Sequence, residues 1–142
     1  MAVMLNNGVG VKISNVDLSD HVKSVTLNRT FDELEVTAMG DFSHRFTKGL
    51  ESSTLTLSFL SDTSASSVNA TLQQYWGTTQ TFALVQTKGA VTTTISATNP
   101  LFSGSILINK TTDINGAVGD IATQDITFTI NSVTTVSPTG TW

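Results

Sequence analysis

The stretch LTLSFL, residues 55–60, decides the fold class of this chain, because its side chains alternate without a break. Leu55, Leu57 and Phe59 fall on one face of an extended strand, and the residues between them are Thr and Ser. Successive side chains of a strand point to opposite faces, so a period of two is what a half-buried strand requires. The stretch therefore predicts a β-sheet with one face on a core and a polar opposite face.

Segments with the same β-rich composition lie on both sides of this strand. Residues 22–30 alternate with moderate regularity. Four later segments are rich in β-branched and aromatic residues, namely 78–88, 91–96, 101–112 and 121–133. Gly, Asn and Pro separate them, and NGAVGD at 115–120 is typical of a tight connection. Repeated strands and turns predict a mainly β protein, an antiparallel β-sandwich or barrel.

One segment departs from this rhythm and predicts a flanking helix. In SASSVNATLQQYWG, residues 64–77, Val68, Leu72, Tyr75 and Trp76 recur at i, i+4, i+7 and i+8. This is the apolar stripe of a helix that lies across a sheet. The serines offer N-caps, and Gly77 is placed to be the C′ residue.

The charge of the chain is small and unevenly placed. Seven basic and 11 acidic residues give a net charge of −4, and charged residues are 13% of the chain. Binding nucleic acid through phosphates depends on Lys and Arg, so this balance argues against a protein that grips DNA. Between Thr63 and Asn109 Lys88 is the one charged residue, whereas residues 31–50 carry both signs. A body so poor in charge predicts that much of its surface is covered on assembly.

Enzyme chemistry is not predicted. Asp32, Glu33 and Glu35 are the candidates from which a hydrolase would draw its pair of carboxylates, but they crowd together on a segment predicted to be an exposed loop. A metal site would need Asp41 and His44 with distant help, and no motif with paired ligands is present. The chain has no cysteine, which excludes disulfides and thiolate metal sites. We expect no catalytic residue, no cofactor and no metal.

A binding module is the alternative function. Tyr75, Trp76 and Trp142 are the aromatic residues that would stack on sugar rings. In this alternative the chain is a β-sandwich that decorates a virion and recognises a host glycan. Core anchoring is the competing interpretation of Tyr75 and Trp76, because they end the apolar stripe of the predicted helix.

Four stretches resemble one known family in the same order. They are DLSDHVKSVTLNRTFDELEVTAMGD at 17–41, SVNATLQQYWGTT at 67–79, SATNPLFSGSILI at 96–108 and GAVGDIATQDITFTINS at 116–132. Together they resemble the major tail proteins, or tail tube proteins, of long-tailed bacteriophages of the siphovirus type. DELEVTAMGD and AVGDIAT carry most of this resemblance, which spans residues 16–132.

The resemblance implies a structural virion protein without enzymatic activity. Subunits of this family close into hexameric rings, and the rings stack into a hollow tube through which genomic DNA is ejected without specific binding. Tape-measure and tail terminator proteins would be its partners. The protein would be assembled in the host cytoplasm, end in the virion tail and cross no membrane; the first residues do not form a signal peptide pattern.

The resemblance also assigns parts of the chain to roles in one domain, residues 1–142. The core would be 16–132, residues 31–50 would form an arm that reaches a neighbouring subunit or ring, and 134–142 would be an unpaired tail. The expected contacts between subunits or rings are Asp32, Glu33, Met39, Asp41, Phe42, His44, Arg45, Phe46 and Lys48, with residues 3–5 and Trp142 at the termini. An acidic or neutral lumen would repel DNA, and the expected lumen-facing acidic residues are Asp62, Asp113 and Asp125.

Overall fold

The computed structural model describes residues 8–89 and 91–142, so the predicted contacts at residues 3–5 lie outside the described residues. The strands are β1 Gly10–Ile13, β2 Val16–Asp17, β3 Val22–Asn28, β4 Phe31–Glu35, β5 Phe46–Glu51, β6 Thr54–Leu60, β7 Thr79–Val85, β8 Leu101–Leu107, β9 Thr123–Thr129 and β10 Thr135–Ser137. One α-helix, α1 Val68–Gln74, and a 3₁₀ turn, Ser19–His21, complete the regular structure of these residues.

The strands form three antiparallel sheets. The largest has the order β10-β8-β7-β1-β2, the second has the order β3-β6-β9, and β4 pairs with β5. The prediction of a mainly β, antiparallel fold with one flanking helix is therefore confirmed. The sheets do not close into a barrel within one chain. A bridge between Ile106 and Ile130 links the two larger sheets on one side, while β3 pairs with β6 and leaves its other edge unpaired among the described residues.

The core lies between the two larger sheets. Leu55, Leu57 and Phe59 are fully buried, as the alternation of residues 55–60 predicts. From the next strand Ile126 and Phe128 join them, and Phe82 lies on the facing sheet. Because burial removes each such side chain from water, loss of a core phenylalanine costs about 3–5 kcal/mol of stability.

The helix is confirmed, but its ends differ from the prediction. Val68 and Leu72 are fully buried, and Tyr75, the C-cap residue, packs against the core. Trp76 lies beyond the helix and is 52% exposed, so it is not part of the buried stripe. Because Tyr75 is the C-cap residue, Gly77 is the C″ residue rather than the predicted C′ residue. Gly77 has a φ of +77°, and its N–H donates to the carbonyl of Ile108. The helix stops early because the chain must turn here into β7.

The N-terminal end of the helix also differs in its chemistry. Ser67 occupies the N-cap position, but its hydroxyl makes no capping bond to the first turn. It donates instead to the carbonyls of Asp62 and Ser64, each at 2.6 Å. The serine therefore fixes the loop before the helix rather than the helix end itself.

Three predicted boundaries are wrong for the same reason, the presence or absence of a pairing partner. Residues 91–96 form no strand, and Ser96 makes only an isolated bridge with Asn99. The last long strand spans Thr123–Thr129 rather than 121–133. Conversely, part of the tail expected to be unpaired forms β10, which pairs with the edge of β8 from Thr135 to Ser137. Pro138 then ends the ladder, since it has no N–H to donate.

Helix α1 is far shorter than a membrane span, and no described helix combines the length and apolarity that crossing a bilayer requires.

Candidate functional site

Residues 31–51 form a two-stranded ribbon rather than the loop expected from their charge. β4 and β5 pair in register through Glu33 with Lys48, Leu34 with Thr47 and Glu35 with Phe46. Along the chain, the ribbon follows β3 and leads into β6. All five residues of β4 are exposed, which means that the body of the protein does not cover this strand.

Apolar side chains on this ribbon face solvent. Phe31, Leu34, Val36 and Phe46 are each about half exposed, at 48–56%, and Leu50 is 81% exposed. At the tip Met39 and Phe42 are fully exposed. Exposed large apolar side chains concentrated on one element mark a candidate interaction site. The ribbon therefore carries exposed apolar surface, and we call residues 31–51 the arm.

The charges of the arm are paired largely within the arm. His44 Nδ1 lies 2.9 Å from Glu35 Oε1, and Arg45 lies 3.6 Å from Asp41. The ammonium of Lys48 sits 5.4 Å from the centre of the Phe31 ring. Such exposed pairs contribute little energy, but they hold the side chains in one arrangement. The sequence predicts these charged residues as contacts between subunits or rings. Within one chain, several of them pair with each other.

The tip of the arm is an ordered turn. Asp41 accepts a hydrogen bond from the N–H of Ala38 at 2.8 Å, and its own N–H donates to the carbonyl of Ala38 at 3.1 Å. Gly40 has a φ of +96°, a conformation that favours glycine. This turn presents Met39 and Phe42 to solvent.

The residues considered for a hydrolase or a metal site all lie on the arm. Glu33 and Glu35 lie on one face of the exposed ribbon and Asp32 lies on the other. Among residues 8–89 and 91–142 no group of three or more His, Asp or Glu side chains is placed to hold a metal ion. His44 is occupied by Glu35 and Asp41 by Arg45.

A second surface is the outward face of the β3-β6-β9 sheet. Register places three rows of polar residues across it, namely Ser24, Ser58 and Asp125; Thr26, Thr56 and Thr127; and Asn28, Thr54 and Thr129. The hydroxyls of Thr56 and Thr127 lie 3.1 Å apart, and the Ser58 hydroxyl donates to Asp125. Eight of these nine side chains are neutral, so the face is a hydroxyl-rich surface with one carboxylate. We call it the polar face.

The three predicted lumen-facing carboxylates do not share a surface. Asp125 lies on the polar face. Asp62 lies before α1 and contacts His21 Nε2 at 2.7 Å, while Asp113 accepts a hydrogen bond from Gln73 of the helix. Sequence reasoning missed the Ser and Thr residues beside Asp125. The signal was present, because those residues occupy the alternate positions of the strands whose apolar residues were assigned to the core.

Asp62 ties the 3₁₀ turn to the entry of α1. The N–H of Ser64 donates to its carboxylate at 2.8 Å, and the His21 ring approaches from the other side. These contacts, the Ser64 backbone hydrogen bond first, hold the pKa of Asp62 below its ordinary value. The residue is therefore a structural link between the 3₁₀ turn and the entry of the helix.

Trp142, expected as a terminal contact, packs on its own chain. The Nζ atoms of Lys12 and Lys88 lie 4.2 and 5.6 Å from the centre of its ring. Lys88 also pairs with Asp17 at 2.9 Å. Burial opposes ionisation of Asp17, but hydrogen bonds from Ser19 and Lys88 outweigh it and lower its pKa. Trp142, Trp76 and Tyr75 thus belong to different surroundings and do not form the common platform that glycan stacking would use.

Comparison with known proteins gives a likeness in fold but none in sequence. No protein-family model matches the chain, and no curated protein matches it in sequence. A solved structure, "Virion of native gene transfer agent (GTA) particle", contains a chain of the same fold, with a TM-score of 0.72. The two chains are 10% identical, and the alignment covers 95% of this chain and 99% of that one. At this identity the likeness shows the fold.

Proposed function

We propose that this chain is a structural subunit of a phage-like virion tail, in which copies form hexameric rings that stack into a tube. The observation that carries the proposal is the arm, an exposed ribbon whose apolar side chains need a cover that the chain itself does not provide. The likeness to a virion chain and the resemblance of residues 16–132 to tail tube proteins support the same role. In this proposal residues 1–142 act as one domain without enzymatic activity.

The arm supplies contact between rings. Phe42, Phe46 and Met39 are its apolar anchors, since large side chains that become buried at the centre of an interface dominate its energy. Asp32 and Glu33, without an ion-pair partner in the described part of the chain, remain available for a neighbour, with Lys48 beside them. Asp41, His44 and Arg45 keep the tip in shape for docking. Trp142 contributes by holding the C-terminal residues on the body.

The polar face lines the lumen. A wall of hydroxyls with Asp125 as its one carboxylate offers DNA no cation to hold a phosphate, so a duplex slides past it. Strand edges of neighbouring copies join at β3 and β9, because ring closure removes edges that would otherwise pair without control. This assignment keeps Asp125 as a lumen residue and places Asp62 and Asp113 elsewhere. Tape-measure and tail terminator proteins remain the expected partners, and the tail of the virion the expected location.

Electron microscopy of the purified chain at rising concentration tests this function. We expect hollow rings or tubes of uniform width from the wild-type chain. The variant Arg45→Ala/Phe46→Ala should stay folded but lose stacking, since both changes lie on the exposed arm. The matched control is Lys110→Ala/Trp76→Ala, which removes a cation and a half-exposed aromatic residue away from the arm.

Two outcomes would count against the proposal. Normal tubes from the arm variant would remove the role of the arm. Dispersed particles from the wild-type chain at every concentration, together with a glycan-dependent change in tryptophan fluorescence, would favour the decoration module instead.

A further inference from the structure

A groove runs along the unpaired edge of β3, where the two larger sheets separate. Its volume is about 720 Å³. Its floor is apolar and includes Val25 and Leu27 of β3, Leu84 of β7 and Phe102 of β8. Among the residues that the structure describes, nothing covers this mouth of the core, while the opposite side is linked through Ile106 and Ile130.

The rim of the groove is basic. Lys23 and Arg29 line it toward the two ends of β3. In residues 8–89 and 91–142 neither side chain has a carboxylate within ion-pair distance. An apolar floor between two cations suits an occupant with apolar side chains and carboxylates.

The loop at residues 113–121 has the complementary chemistry. Ile114, Val118 and Ile121 are 94%, 106% and 77% exposed, which leaves nearly their whole apolar surface in water. In the sequence DINGAVGDI, Asp113 precedes Ile114, and Asp120 lies between Val118 and Ile121. A turn between Ala117 and Asp120, with Gly119 at a φ of +86°, projects Val118 outward.

Position in the sheet brings this loop to the groove of a second copy. The loop leads directly into β9, which lies at the opposite edge of the β3-β6-β9 sheet from β3. A head-to-tail contact between copies in the same orientation therefore sets the β9 side of one against the β3 side of the next. Contacts of this heterologous type generate closed rings when the rotation between copies is right.

We propose that residues 113–121 of one copy dock into the β3 groove of the next copy and form the lateral contact within a ring. Val118 and Ile121 contact the apolar floor, and Asp120 pairs with a rim cation. This inference rests on the proposed function for the second copy, and it adds a contact that the arm does not supply. The arm joins rings, whereas this loop closes each of them.

One competing contact lies within a single copy. Lys23 also lines a shallower hollow of about 610 Å³ together with Asp120 and Ile121 of its own chain. If Asp120 serves its own Lys23, the loop would contact its own sheet rather than a neighbour. The test must therefore separate contacts between chains from contacts within one chain.

Cysteine trapping does this directly, because the chain has no cysteine of its own. Val118→Cys and Val25→Cys are made in separate chains, mixed, and exposed to mild oxidation at assembly concentration. A disulfide needs Cα atoms within about 7 Å, so it reports close docking. The matched control is Val91→Cys, whose side chain is 98% exposed on a different loop.

We expect the mixture to give a disulfide-linked dimer of the two variants, at least about tenfold more than the Val91→Cys mixture, because docking raises the effective concentration of the two thiols. Each variant alone should give little dimer. Circular dichroism checks folding, and Leu27→Cys, on the floor of the same groove, replaces Val25→Cys if that variant does not fold.

The proposal is overturned if the mixture gives no more dimer than the control, or if Met39→Cys, at the tip of the arm, couples to Val25→Cys in place of Val118→Cys. The outcome is separable from the proposed function. Tubes from the wild-type chain, without the cross-link between the variants, would support the proposed tube and contradict the lateral contact. The cross-link without tubes would support the lateral contact and contradict the proposed tube.

Discussion

Asp62 shows how a residue chosen for charge alone takes another role once its contacts are known. Its carboxylate receives the N–H of Ser64 and meets the ring of His21, which lies 41 positions earlier in the chain. A carboxylate that accepts hydrogen bonds is stabilised in its ionised form, so the pKa of Asp62 in the folded chain lies below the ordinary 3.8. The residue thus links the β3 side of the body to the start of the helix.

Asp62→Asn should destabilise the fold in a pH-dependent way. Because the folded pKa is depressed, the ionised carboxylate stabilises the protein above about pH 5, and this stabilisation is lost as the pH falls through 3.8 and below. We expect the variant to melt a few degrees lower than wild type at pH 7 and the difference to shrink as the pH falls below 3.8. Thermal melts followed by circular dichroism across this range provide the measurement. Asp20→Asn, one residue from His21, is the control, and an equal loss at all pH values would contradict the link.

At the scale of elements, the arm is a ribbon because two segments that look irregular pair with each other. Gly49 lies against Asp32, and a Cβ atom at Gly49 would meet both Cβ and the carbonyl oxygen of Asp32 at 2.8 Å. Contacts this short force the two strands apart. Glycine at this position is therefore required by the close approach of β4 and β5.

Gly49→Ala should loosen the ribbon and leave the core intact. Overpacking of this kind costs about 1–3 kcal/mol locally, but the arm adds nothing to the buried core, so the main melting transition should move little. Tube formation should fall, with electron microscopy as the readout. Gly8→Ala, where a Cβ would also meet nothing within 4 Å and which lies outside the arm and the 113–121 loop, is the matched control. Unchanged tubes from Gly49→Ala would show that the ribbon need not be preformed.

The sequence allowed prediction of the elements that pack on the core and not of those that depend on a distant partner. Leu55, Leu57 and Phe59 are buried and alternate with polar residues, so the sequence pattern indicates which side chains are buried. Residues 91–96 have equal β propensity but face no strand, and residues 135–137 look like a tail but lie beside the free edge of β8. Strand pairing depends on which strand edges the fold brings close together, and local composition does not indicate this. The arm was located by its charge, yet its ribbon geometry has the same non-local origin.

Across the whole molecule, charged side chains are distributed unevenly among the arm, the groove rim, the core and the polar face. The arm and the groove rim carry charges, the core carries none, and the polar face carries Asp125 among eight neutral neighbours. The chain has 7 basic and 11 acidic residues, and its basic side chains are cations that can bind DNA phosphates. None of these cations lies in the three rows of residues that form the polar face. If the polar face lines a tube, its neutrality rather than the net charge of the chain governs the passage of DNA.

A single cation on the polar face should convert the tube from a conduit into a DNA trap. Thr56 lies at the centre of the face, between Thr26 and Thr127, so Thr56→Lys places one ammonium per subunit on the wall and six in each ring of the proposed tube. Each phosphate contact releases counterions, so retention should be strong at low salt and fall steeply as salt rises. Co-sedimentation of a short DNA duplex with assembled tubes measures it, and wild-type tubes should retain almost none. The control Thr81→Lys adds the same charge to an exposed site on the other sheet. Equal retention by the two variants would mean that the polar face does not line the lumen.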